Sequence, residues 1–488
     1  MKYMSKVVIH LGVYFIVLWC VYWCLIGQIM EGQDINRHER HNGPGRESQG
    51  ENTGESRDKN TGESRDRNIG ESQDKNIGDG QDKHTEKTQD KNREESEDKN
   101  NETSALLENR LTPAQQMLGG VAVQYKVGVA DCREAFSRQF DFNEVNLLNS
   151  KLSGSYLGNK FYKQATKNCS YFIQSRGYIT HHLSEDERNF PIAYSILVFK
   201  NAEMAERLLR AIYRPQNYYC IHVDKKSPRP FYEAMVGIAG CFSNVFLTAR
   251  RVDVRWGTYS VLEPELLCMQ ELWRFRSWRY FINLTGQEFP LRTNYELVKI
   301  LRALNGSNDV TGSLKHNFTK RWRGTKPPHG IRPVKGSVHI TVNRHFVDYI
   351  LHNETARDLL NWTRHTDLPD ETFFATLNFN PQLGIRGTFN GDPETRSYIS
   401  RYKIWYSNTA RCAWRFVRRV CVLTTGDLPL LEHSKHLFAN KFYLHTDRLV
   451  IGCLEEKLFN TSRDQALGLL EFDAGYYRRL QSVISQVV

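Results

Sequence analysis

Two adjacent carboxylates in LPDETFFAT (368–376), Asp370 and Glu371, stand before the aromatic pair Phe373-Phe374. Acids in that position can serve two ends. Behind Pro369 they suit the first turn of a helix, because proline lacks only an amide the helix leaves unpaired and negative charge favours that end of the dipole. Alternatively, one of them is a general base that takes a proton from an attacking hydroxyl. Asp224 closes an apolar run in YYCIHVDKK (218–226), and Glu185-Asp186-Glu187 precedes another, where it reads as a solvated turn. Residues 121–488 contain no Asp-x-Asp, and neither GxGxxG nor GxxxxGK[ST] occurs, so dinucleotide and P-loop chemistry lose support.

The elements that must position these acids alternate in type. PIAYSILVFK (191–200) is a continuous β-rich run, and NAEMAERLLRAIY (201–213) carries Met204, Leu208, Ala211 and Ile212 at helical spacing. YYCIHVDKK, NVFLTA (244–249) and WRYFINLTG (278–286) read as strands, with TYSVLEPELLCMQELW (258–273) as a helix before the last. Strand–helix alternation predicts an α/β fold with a mostly parallel sheet covered by helices on both faces. Ligands of such sheets sit beyond the carboxyl ends of the strands, which draws Val198, Asp224 and the segment at Trp256 together.

The rest of the 488-residue chain is unlike this part. After a tail of residues 1–6, the run 7–30 (VVIHLGVYFIVLWCVYWCLIGQIM) is uncharged and long enough to cross a hydrocarbon core of about 30 Å. Lys2 and Lys6 precede it and Glu31 and Asp34 follow, which predicts a cytosolic N-terminus and a lumenal remainder. Residues 31–120 read as a stem. Within it 52–99 repeats every eight residues (NTGESRDK, NTGESRDR, NIGESQDK and three looser copies), with Ile69 and Ile77 as the only bulky apolar residues, so it predicts a disordered spacer. Residues 121–488 are left as one large lumenal domain.

Cysteine usage agrees. Outside the apolar run stand eight cysteines, Cys132, Cys169, Cys220, Cys241, Cys268, Cys412, Cys421 and Cys453, none in a Cys-x2-Cys pair, which favours disulfides over zinc. Asn-x-Ser/Thr sequons occur at Asn101, Asn168, Asn305, Asn317, Asn353, Asn361 and Asn460, and also at Asn283, which lies in an apolar run and reads as buried and bare. An anchored, exported chain does not meet nucleic acid, so the formal charge of +11 serves acidic small molecules such as a diphosphate, or is solvated surface.

FPIAYSILVFKNAEMAERLLRAIYRPQNYYCIHVDKKS, GCFSNVF (240–246), INLTGQEFPLRTNYELV (282–298), GSVHITVNRHFVDYILHNE (336–354), LPDETFFAT and SKHLFANKF (434–442) occur in this order. Together they resemble the catalytic domain of the core-2/I-branching β-1,6-N-acetylglucosaminyltransferases, from about Cys132 to the C-terminus. Peptide O-xylosyltransferases belong to the same wider family. The resemblance implies a glycosyltransferase-A-like fold in a single-pass type II Golgi membrane protein. It implies inverting transfer of GlcNAc from UDP-GlcNAc to a 6-hydroxyl of Gal or GalNAc on the O-glycans of glycoproteins. It places the base on Glu371 and leaves Asp370 at the helix terminus.

The relatives need no divalent metal or other cofactor. Two basic side chains, falling here on Arg418 and Lys441, hold the departing diphosphate instead. Asp224 is implied to contact the nucleotide, and Val198 and Trp256 to line the uridine pocket. WGT at Trp256 is closer to the xylosyltransferase pattern. On the acceptor side Arg321 matches, Trp405 fits an aromatic that stacks on the sugar, and the relatives' Glu and Lys are replaced near Thr311 and Phe318. The implied bridges are Cys132–Cys453, Cys169–Cys241, Cys220–Cys268 and Cys412–Cys421. Two alternatives stay open here: a xylosyltransferase-like enzyme using another UDP-sugar or acceptor, and an inactive carbohydrate-binding surface protein.

Overall fold

The computed structural model describes residues 127–488 apart from 129, 139, 153–155 and 396. The tail, the apolar run 7–30, the whole of the stem 31–120 with Asn101 in it, and the side chain of Asn317 lie outside the described residues. Among the described residues no helix is long and apolar enough to cross a membrane.

A six-stranded sheet forms the centre. Its strands are β1 (Ile192–Val198), β2 (Tyr218–Val223), β3 (Val245–Leu247), β4 (Tyr280–Thr285), β6 (Asp309–Ser313) and β7 (Lys335–Asn343), in the order β3-β2-β1-β4-β7-β6. The first four are parallel, and β7 and β6 extend the sheet antiparallel. Side-chain alternation sends Ile192, Tyr194, Ile196 and Val198 of β1 into one core and Ala193 into a second. Helices Ala202–Ile212, Arg229–Gly240 and Asn294–Ala303 cover the first face. Helices Glu263–Trp273, Arg344–His352 and Phe373–Asn378 cover the other.

This change of face has a cause. The chain steps outward from β1 to β2 to β3, then returns past β1 to place β4 on its other side. Right-handed crossovers in opposite directions put their helices on opposite faces, so a crevice opens at the β1/β4 boundary. Leu197 pairs with Thr285 and Val198 with Val223, so the carboxyl ends of β1, β2 and β4 finish level at that crevice.

Two expected elements come out differently. The helix expected over 258–273 starts at Glu263, because Pro264 fits only a first turn, and Tyr259–Val261 forms a separate 3-10 turn capped by Thr258. The acids at 185–187 are not a solvated turn. They open a short helix capped by Ser184, which turns Glu187 inward. There Glu187 accepts from Asn294 Nδ2 at 2.7 Å and faces Arg214 at 3.7 Å.

All four implied disulfides form. Asn283 is buried as expected. Its amide donates to Glu265 at 3.1 Å and to the Val338 carbonyl at 2.7 Å, and its oxygen accepts from Ile340 N. Asn168, Asn305, Asn353 and Asn361 are exposed and Asn460 is half-buried.

Candidate active site

Glu371 ends a 3-10 turn, Pro369–Glu371, not the first turn of the expected helix. The helix starts two residues later, at Phe373, whose ring is buried with that of Phe374. Leu368, at φ +54°, swings the chain into the turn, and its amide donates to the Gly257 carbonyl at 3.1 Å. The neighbouring Asp367 amide donates to the Arg321 carbonyl at 2.8 Å. Three segments distant in sequence are thus tied by backbone, and the base candidate stands where they meet.

The two carboxylates are in unlike surroundings. Arg321 Nη1 lies 2.5 Å from Glu371 Oε2, and Lys335 Nζ, at the start of β7, lies 4.0 Å from the same oxygen. Among the described residues Oε1 accepts no hydrogen bond, and the side chain is 26% exposed. Asp370 points inward and is buried, its Oδ1 without a hydrogen-bond partner among the described residues. Burial, and then the Glu371 charge, push its carboxyl up to about 7. Asp370 is therefore not a solvated helix-terminal acid. The turn hides one carboxyl and presents the other.

A chain of contacts runs from Glu371 to the cations at the strand ends. Lys403, just past β8 (Arg401–Tyr402), feels the Glu371 charge, and its Nζ lies 3.2 Å from His339 Nδ1 on β7. Burial pushes this ammonium down to about 8. His339 is buried and held neutral, first by burial and then by the Lys403 charge. Its Nε2–H donates to Glu288 on β5 (Glu288–Pro290), which leaves Nδ1 as the acceptor facing Lys403, with Ser337 Oγ at 3.5 Å. Glu288 is fully buried, and its oxygens accept from Arg401 Nε at 2.9 Å and Asn440 Nδ2 at 3.0 Å. It is the hub joining β5, β8 and β11 (Phe438–Asn440) in a three-stranded sheet.

Lys441 follows β11. The next amide, Phe442, donates to the Gln287 carbonyl at 2.8 Å, while Gly286 N donates to Leu197 at 3.0 Å, so Lys441 stands at the β1/β4 crevice. Its Nζ donates to the Val417 carbonyl at 2.8 Å. Burial, and then the Arg418 charge, push the ammonium down to about 8. Arg418 and Arg419 are the two central residues of a hairpin between β9 (Phe416–Val417) and β10 (Val420–Cys421), at φ +52° and +63°. Arg418, and not Arg419, is the arginine that Lys441 feels.

Asp224 continues from β2. Its amide donates to the Val198 carbonyl at 3.0 Å, and its Oδ1 accepts from Lys226 N at 2.8 Å. Val198 is buried in the first core and stands behind Gly286, where an added Cβ would meet its Cγ1 at 3.3 Å. Lys225 N reaches the Val252 carbonyl at 2.9 Å, so 252–257 runs from Asp224 to the turn of Glu371. Trp256 on that run is 76% exposed, and Trp405 is 56% exposed beneath the Lys403 ammonium, 5.4 Å from its ring. Among the described residues no group of three or more His, Cys, Asp or Glu is arranged to hold a metal ion.

A family model described as Core-2/I-Branching enzyme matches residues 192–432. Over 326 residues the chain is 39% identical to a Bos taurus protein and 37% identical to a Homo sapiens protein. Both are named beta-1,3-galactosyl-O-glycosyl-glycoprotein beta-1,6-N-acetylglucosaminyltransferase, and the alignment spans 61% of this chain and 76% of each of them. The chain belongs to the core-2/I-branching enzyme family. A Danio rerio relative of the same name, numbered 4, is 37% identical over 333 residues, 62% of this chain and 77% of its own length.

Within the core-2/I-branching match fall Val198, Asp224, Trp256, Arg321, Glu371, Trp405 and Arg418, while Lys441 lies beyond its end. The structure brings Arg321 and Glu371 to one place and Arg418 and Lys441 to another; sequence reasoning gave each a role without that pairing of Arg321 with Glu371. It missed Lys335, His339 and Lys403. The signal was faint: a lysine opening a strand and another two residues before a tryptophan look like edge charges.

Proposed function

We propose that this chain is an inverting glycosyltransferase that moves GlcNAc from UDP-GlcNAc to the 6-hydroxyl of Gal or GalNAc on O-glycans. The observation that carries the reading is the base candidate itself. Glu371 has one oxygen held by Arg321 and a side chain that is 26% exposed, while Lys441 and Arg418 stand together after β11 and in the β9–β10 hairpin. A single-displacement mechanism needs one general base, and Glu371 Oε1 takes the proton of the acceptor hydroxyl as it attacks the anomeric carbon. Arg321 holds the carboxylate in place. Arg418 and Lys441 meet the charge that grows on the departing diphosphate, in place of a divalent metal. Asp224, Val198 and Trp256 take the nucleotide end, and Trp405 offers its exposed face to the acceptor sugar.

The sheet order, with the site at the switch between β1 and β4, supports a glycosyltransferase-A-like fold. The names of the relatives support the donor and linkage. Residues 7–30 anchor the chain in the Golgi membrane as a type II protein, with 31–120 as its stem. A donor panel tests the reading. The full chain in detergent, given a Gal-GalNAc acceptor, is expected to release UDP from UDP-GlcNAc and to form a β-1,6 product. Turnover with UDP-xylose and none with UDP-GlcNAc would reject it.

A further inference from the structure

The loop that carries Asp224 is built around one guanidinium. Past β2 the amides are spent on the protein. Asp224 N donates to the Val198 carbonyl, Lys225 N to the Val252 carbonyl, Lys226 N to Asp224 Oδ1 and Ser227 N to the Asp224 carbonyl. The carbonyls of the same stretch converge on Arg251. Its Nε donates to the Val223 carbonyl at 3.2 Å, and its Nη2 lies 2.6 Å from the Asp224, 3.1 Å from the Lys225 and 3.4 Å from the Ser227 carbonyl oxygen. The guanidinium packs over the Tyr232 ring of helix Arg229–Gly240, 4.3 Å from its centre. Among the described residues every hydrogen bond of this side chain goes to residues 223–227, and no carboxylate pairs with it. Its neighbour Arg250 differs: it is exposed and donates to Glu263 at 2.7 Å.

We infer that Arg251 is a positioning residue for the donor nucleotide, acting through the backbone of Asp224. This rests on the reading of Asp224 as a nucleotide contact and adds the residue that holds the contact in place. The Asp224 carbonyl is pinned by Arg251 and its amide by Val198, while Oδ1 is engaged by Lys226 N. The carboxylate is therefore presented from a fixed backbone, with the Lys226 ammonium 3.6 Å from Oδ2. The planar guanidinium suits the task, because its rigid fork of donors reaches several carbonyls at once, whereas a lysine ammonium is a compact charge on a flexible stem. Arg251 acts through Asp224 and is not itself a catalytic residue. A brace of the fold alone would hold the loop without regard to the nucleotide, and the two roles differ in what they do to donor affinity.

The test is a double-mutant cycle on the full chain in detergent: wild type, Arg251→Met, Asp224→Ala and the double variant, with Arg250→Met as control. Calorimetric titration gives UDP affinity, initial rates give kcat and the KM for UDP-GlcNAc, and saturation-transfer NMR gives affinity for a Gal-GalNAc acceptor. Arg251→Met should weaken UDP binding and raise the donor KM about tenfold, as for loss of one hydrogen bond to a charged group, with kcat and acceptor affinity kept. In the Asp224→Ala background the same change should cost less than about threefold, because both act through one carboxylate. Arg251→Lys should recover part of the loss, and Arg250→Met should match the wild type throughout. Should Arg251→Met fail to fold, Arg251→Lys takes its place in the cycle with the same expected pattern. UDP affinity unmoved by the change at Arg251, or losses that simply add in the double variant, would overturn the inference and leave the transferase reading standing. A wild type that binds no UDP would defeat both.

Discussion

Glu371 and Asp370 are adjacent, yet one is partly exposed beside Arg321 and the other is buried and a burden on the fold. Asp370 folds with its carboxyl pushed up to about 7 by burial and by Glu371. A raised carboxyl adds stability that is complete below its unfolded value near 3.8 and is lost as pH climbs through about 7. Asp370→Asn should therefore raise stability at pH 7.5 by on the order of a few kcal/mol, seen as a higher Tm, with the gain shrinking towards pH 4. Thermal melts across that range check it. Lys441 follows the opposite logic. Its ammonium is pushed down to about 8, so UDP affinity should fall as pH rises through 8, and Lys441→Met should be weak and flat over that range. Calorimetric titration of UDP from pH 6.5 to 9 decides. The proposals for Glu371, Arg418 and Lys441 come from the sequence because each sits in a distinctive short block. Lys403 was not legible in this way, because its partner His339 lies sixty-four residues away in sequence, and no local pattern announces such a contact.

At the scale of elements, the hairpin β9–β10 holds an arginine pair where left-handed backbone is required at both central positions. Asn-Gly is the favoured pair there, and a bulky residue costs about 1 kcal/mol or more at each position. At Arg418 the proposed hold on the diphosphate offsets the strain. Arg419, exposed and outside the range at which Lys441 responds, has none that the structure shows. Arg419→Gly should raise the melting midpoint by the equivalent of roughly 1 kcal/mol, which calorimetry would reveal. The parallel strands were legible from apolar runs with both faces buried, and the helix Ala202–Ile212 from its spacing. The turn at 369–371 was misread as a helix start, because Pro-Asp-Glu suits either. The tertiary ties of Leu368 to Gly257 and of Asp367 to Arg321 decide between them.

For the molecule as a whole, Cys132–Cys453 closes a loop of 321 residues and ties the short helix Cys132–Ser137 to the long helix Leu449–Ala466. In the chain-entropy account a bridge this long stabilises by about 6 kcal/mol. A Cys132→Ser, Cys453→Ser double variant should unfold at clearly lower denaturant, while loss of the nine-residue Cys412–Cys421 link should matter less globally and more to the Arg418 hairpin it braces. The pairing of the cysteines entered through a family resemblance, since eight scattered cysteines alone allow many pairings. The rest of the site's architecture could not be read that way. It depends on a hub, Glu288, that gathers residues from four separated segments.

One comparison bears most directly on the central claim that Glu371 deprotonates the acceptor while fixed side-chain cations hold the leaving group. It is the rate of UDP-GlcNAc turnover with a Gal-GalNAc acceptor, in the presence of a chelator, for the wild type and Glu371→Gln. The account predicts full wild-type turnover and a loss of about a hundredfold or more in the variant, with UDP affinity kept. Appreciable turnover by Glu371→Gln, or a wild-type rate that collapses in chelator and returns with manganese, would contradict it.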